Sequence, residues 1–140
     1  MAMPTPPMRI LAERLLARES ARVVDGKHGG VCLCEKMRIS LIGFAGAEGF
    51  ASLLRRALVL AGPELPPAHG IEIHSDGQLV GLDELALKLP DHGQAVAVAV
   101  TGHLLGLLAI FIGEPLTLRL VRDAYPDGAS GEPDKEYEAP

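Results

Sequence analysis

Ala95-Val96-Ala97-Val98-Ala99-Val100-Thr101-Gly102-His103-Leu104-Leu105-Gly106-Leu107-Leu108-Ala109-Ile110-Phe111-Ile112-Gly113 runs for nineteen residues without a formal charge, and its polar side chains are Thr101 and His103. The architecture turns on how this stretch is housed. Its small residues have an order: Ala95, Ala99, Gly102, Gly106, Ala109 and Gly113 follow at spacings of four, three, four, three and four. On a helix that spacing collects them on one stripe and turns Val96, Val100, Leu104, Leu107 and Phe111 largely elsewhere. A stripe without bulk lets a second helix come close, and Gly102-x-x-x-Gly106 is a spacing used by paired membrane helices. His103 stands beside those glycines. An imidazole in apolar surroundings must find a hydrogen-bond partner or stay neutral at a cost.

Three housings compete. The first is a central helix buried on all sides in a bundle or a dimer, which is the reading preferred here. The second is a membrane span, since nineteen apolar residues just reach the length required. Ten Val, Leu, Ile and Phe side chains would contribute roughly −3 to −6 kcal/mol to insertion. Orientation counts against it, because Arg119 and Arg122 follow the segment while the thirty residues before it are acidic. Positive charge stays inside, so the ninety preceding residues would be exported, and they carry no export signal. The third housing makes residues 94–100 a buried strand, because Ala and Val alternate there, and gives an α+β fold.

Around this segment the helical period dominates. Pro at an early position after Thr5 starts a first helix, with Met8, Leu11, Ala12, Leu15 and Leu16 on one face and Arg14, Arg18 and Arg22 on another. Asp25 to Gly30 ends it. A second helix runs from about Val31 to Phe44, carrying Cys34, Met37, Leu41 and Phe44, and the glycines from Ala45 to Gly49 weaken or bend it. Phe50, Leu53, Leu54, Ala57, Leu58 and Ala61 then form an amphipathic stripe, with Glu48, Ser52, Arg55 and Arg56 off it, until Gly62-Pro63 stops it. Residues 71–82 change period and read as a short hairpin with its turn at Ser75-Asp76-Gly77. Asp83 or a neighbour caps a short helix before Pro90. Glu114-Pro115 interrupts the apolar segment, and a last helix runs from Pro115 to Tyr125. The expected fold is mainly α: a compact helical bundle with a small β-hairpin, one domain over 1–125, followed by a disordered acidic tail over 126–140.

The chain has 140 residues and a net charge of −5. Residues 1–60 hold nine Lys and Arg against five Asp and Glu, 61–125 hold three against eight, and 126–140 hold one against five. Overall the molecule is a poor polyanion binder, so a nucleic-acid partner is disfavoured. Arg outnumbers Lys and Asn is absent, which fits a GC-rich, bacterial coding sequence. No apolar run marks a signal peptide at the N-terminus, which makes the cytoplasm the expected compartment and the inner membrane the alternative.

Candidate chemistry is sparse. His28, Cys32 and Cys34 are the soft ligands that lie together in sequence, and His69 and His74 could join them only through the fold. On a helix, however, positions two apart point about 200° from each other and cannot share one ion. Gly43-x-x-Gly46-x-x-Gly49 follows a helix and not a strand, so it is better read as a bend than as a phosphate cradle. Glu13, Glu19, Glu35 and Glu48 read as solvated helix faces. Arg55 and Arg56, placed after a glycine-containing turn, give the outline of a helix-turn-helix that reads DNA. No nucleophile elbow or cofactor motif occurs, so no cofactor is expected. The leading expectation is a non-catalytic binding or assembly protein. Its partner is itself or another protein, and its helix contact runs along Ala99, Gly102, His103, Gly106, Ala109 and Gly113. Membrane attachment, DNA binding by Arg55 and Arg56, and a metal held by His28, Cys32 and Cys34 are the alternatives.

Overall fold

The structure, a computed structural model, describes residues 6–20, 29–66 and 70–125. The expected tail over 126–140, the end of the first helix over 21–28, Thr5, His28 and His69 lie outside the described residues. Five α-helices, a 3-10 turn and a two-stranded antiparallel hairpin make up the described chain. The fold is mainly α with a small hairpin.

Helix α1 (Pro6–Ser20) buries Met8, Leu11, Ala12, Leu15 and Leu16, the apolar face its spacing demands. Helix α2 (Gly29–Leu60) is two arms joined at Gly46, whose backbone (φ 80°, ψ 164°) lies where a side chain is not tolerated. Before the break Leu33, Cys34, Met37 and Leu41 are buried; after it Phe50, Leu54, Ala57 and Ala61 are. The glycine run therefore bends a helix. A 3-10 turn (Gly62–Glu64) follows, with Pro63 inside it.

Strands β1 (Glu72–Ile73) and β2 (Leu79–Val80) pair Glu72 with Val80 and Ile73 with Leu79. The connecting turn closes through the Gly77 N–H donating to His74 O and the His74 N–H donating to Gln78 O, both 2.9 Å. Gly77 takes the left-handed position of that turn (φ 89°), and Asp76 Oδ1 accepts from the Gln78 N–H at 3.0 Å. Helix α3 (Leu82–Lys88) is capped by Gly81 and not by Asp83. A Cβ on Gly81 would lie 2.2 Å from Gly70 O, so backbone proximity selects the cap, while Asp83 and Glu84 sit in the first turn and favour it electrostatically.

Helix α4 (Pro90–Ile112) contains the whole apolar stretch up to Ile112 and packs against α1, α2, α3 and the last helix, α5 (Glu114–Ala124). Residues 94–100 are helical, which corrects the strand alternative and with it the α+β fold. Val96 and Val100 point one way and Val98 the opposite way, yet all three are buried, because helices surround this part of α4. Alternation of two small apolar residue types then has no amphipathic meaning, and the high helix propensity of Ala decides. The break after α4 falls at Gly113, and Pro115 sits within the first turn of α5, where its missing N–H costs nothing.

Candidate functional site

The small-residue stripe divides along α4. Ala99 and Gly102 are buried, Gly106 and Ala109 are half-buried, and Ala95 is exposed. A Cβ built on Gly106 would meet nothing within 4 Å, whereas one on Gly93 would lie 2.7 Å from Ala86 Cβ. Gly93 therefore makes a close approach to α3, and Gly106 leaves open space within the chain. Next to that space Ile110 is 76% exposed and Phe111 is 65% exposed. Gly113, the last of the stripe, is the cap of the helix and is half-buried.

His103 is 4% exposed and faces the junction of α1 with the 3-10 turn. Its Nε2 lies 3.9 Å from Glu64 Oε2, and Glu64 Oε1 lies 3.6 Å from Arg9 Nη1. Arg9 also faces Glu13 one turn on, at 3.6 Å. All three separations are longer than hydrogen bonds. Sequence spacing offered no link between residues 9, 64 and 103; the fold brings them together.

A second polar group was read wrongly from sequence. Glu19 is buried, and its Oε2 accepts from the Tyr125 hydroxyl and from Lys36 Nζ, both at 2.7 Å. Lys36 Nζ also stands 4.8 Å from the centre of the Tyr125 ring, a cation–π contact. Burial foremost, then the Glu19 hydrogen bond and charge, push the Tyr125 phenol well above its ordinary range. The signal was legible: Glu19 lies four and seven residues beyond Leu15 and Ala12, on the apolar face. The trio ties the end of α1, the start of α2 and the end of α5.

Cys34 is buried against α4, and burial first, then the Glu35 charge, push its thiol from 9.0 up to about 12. Cys32, half-buried, occupies another side of the helix, as a separation of two residues requires. Among the described residues no group of three His, Cys, Asp or Glu is placed to hold a metal ion. Both cysteines border a cleft of about 550 Å³ between the start of α2 and the hairpin, which Lys36, Glu35, Asp83 and Glu84 also line.

Arg55 and Arg56 are exposed on the second arm of α2. The arms are separated by a single non-helical residue, Gly46, and not by the three- or four-residue turn that sets a recognition helix. α4 is long and apolar enough to cross a membrane, and 67% of its most apolar window is buried by the rest of the chain. Comparison with known proteins finds no family model, curated protein or solved structure that matches.

Proposed function

We propose that this chain is a non-catalytic assembly module whose partner is a second copy, met through the C-terminal half of α4. The observation that carries this reading is the notch at Gly106 lying beside two exposed apolar side chains, Ile110 and Phe111. In a two-fold pair the same patch serves both sides, so Ile110 of one copy fills the notch of the other and is answered in kind. Charge supports a second copy over an unlike partner. The chain carries −5 overall, but no formal charge lies between Asp91 and Glu114, so two copies approach there without like-charge repulsion.

The test is the mass in solution of the detergent-free protein by light scattering. A dimer is expected for the wild type and a monomer for Ile110→Glu and Gly106→Leu. Because open space surrounds Gly106 within the chain, Gly106→Leu keeps its fold, and an unchanged circular dichroism spectrum verifies this. A monomeric wild type would overturn the reading. Recovery only in the membrane pellet would overturn it in favour of the lipid alternative, in which Ile110 and Phe111 face acyl chains.

A further inference from the structure

The hairpin joins the rest of the fold along one line. Gly70 and Gly81, on either side of it, both take left-handed backbone angles (φ 71° and 99°), and a Cβ on Gly81 would lie 2.2 Å from Gly70 O. Its two ends therefore pass side by side, at residues that change backbone region with little steric cost. A two-stranded ribbon this short does not hold its shape alone, so its place depends on what fastens it. Glu72, His74, Ser75, Asp76 and Gln78 are exposed. Ile71 and Leu79 are buried, and they border an apolar seam shared with Val96 and Val100 of α4 and Cys34 of α2.

The tip is tied to both arms of α2. On the second arm, Phe50 lies so close to Gly77 that a Cβ there would be 2.6 Å from its ring. On the first arm, Arg38 Nε donates to Asp76 O at 2.9 Å, and its Nη2 lies 3.8 Å from Asp76 Oδ2. Glu35 Oε2 accepts from Arg38 Nη1 at 3.0 Å and steadies the guanidinium in that position. Cys34 sits beneath. It is 3% exposed, yet it borders both the apolar seam and the cleft of about 550 Å³ outside the hairpin, and Leu79 borders both as well. Displacing Leu79 merges the two spaces and bares the thiol.

We infer that the hairpin is a lid, latched at its tip by Arg38, whose opening about Gly70 and Gly81 uncovers the Cys34 thiol while the helices stay packed. A unit with few buried side chains opens at a lower cost than the whole fold. The latch is a charge-assisted contact near the surface, so salt loosens it. The lid is separate from the α4 face, and either proposal can fail without the other.

The experiment follows alkylation of Cys34 by iodoacetamide in full-length Cys32→Ser, which leaves one thiol. Hydrogen exchange of the Leu104 amide, deep in α4, is measured beside it and reports opening of the helices. The expected result is a Cys34 thiol less protected than the Leu104 amide, and a rate of alkylation that rises with salt. Adding Arg38→Met speeds alkylation about tenfold, removes its salt dependence and leaves Leu104 exchange unchanged. Adding Arg55→Met, at an exposed site on the other arm, leaves both rates as they were. Alkylation that keeps pace with Leu104 exchange overturns the proposal, because the thiol then reacts only on unfolding. So does a rate that Arg38→Met leaves unchanged, or one that it raises together with Leu104 exchange.

Discussion

The two halves of α4 are both predominantly apolar and opposite in circumstance. From Val96 to Leu105 every residue is buried, under α1, α2 and α3 on different sides. From Gly106 to Ile112 the burial becomes one-sided: Leu107 and Leu108 face inward, while Ile110 and Phe111 face out. An apolar residue in the first half is held by packing on all sides. In the second half it is held on one side, and the other is exposed. The comparison teaches that hydropathy reports how much a helix would gain from leaving water, and the neighbours decide whether that gain is spent within the chain.

The sharpest way to break this contrast is to remove the same bulk from both halves. Leu104→Ala is expected to destabilise the monomer by about 2 to 5 kcal/mol, since a fully enclosed site relaxes little around a cavity. Phe111→Ala, at an exposed site, should change it by less than about 0.5 kcal/mol. Urea denaturation at low protein concentration measures both, and equal losses would erase the distinction.

Tyr125→Phe comes next, because the closed half leans on helices that this side chain ties together. It removes a hydrogen bond to a buried carboxylate, and a loss of about 1.5 to 3 kcal/mol is expected, visible as a lower denaturation midpoint.

Alkali probes the closed half through Cys34, which packs beside Thr101, Leu104 and Leu105. Its thiol ionises near 9.0 when unfolded and near 12 in the fold. Between those values the unfolded state has lost a proton that the folded state keeps, so stability falls as pH rises past about 9 and is unaffected below. Tyr125, whose phenol is likewise pushed up by burial and Glu19, adds to the fall above 10.0. The melting temperature of Cys34→Ala should decline less steeply with pH than that of the wild type; parallel curves would count against a protonated, buried thiol.

The smallest effect carries an informative sign. Gly106→Ala should stabilise the monomer by about 0.5 to 1 kcal/mol, because Ala is the better helix former and meets no atom there. Gly93→Ala should destabilise it, since its Cβ has no room beside Ala86. Thermal melts of the two variants moving in the same direction would contradict the difference in space.

Much of this fold was legible because helices and turns are written in short-range spacing. The stripes on α1 and on the second arm of α2, the bend in the glycine run, the hairpin turn and the stop at Gly62-Pro63 all depend on residues within a few positions of one another. The strand alternative over 94–100 arose where spacing loses its meaning, in a segment buried all round. The polar groups were less legible. Glu19 stood on an apolar face yet was read as solvated, and His103 was noticed without Glu64 or Arg9, which lie far away in sequence.

From residue order alone come the helical class, the hairpin and the existence of one segment too apolar for an exposed helix, since each follows from local propensity and period. Tertiary structure decided the rest: which turns of that segment are enclosed, that Gly106 opens onto space while Gly93 meets Ala86, and that Glu19, Lys36 and Tyr125 converge. These outcomes depend on distances between elements, which packing sets and no local pattern encodes.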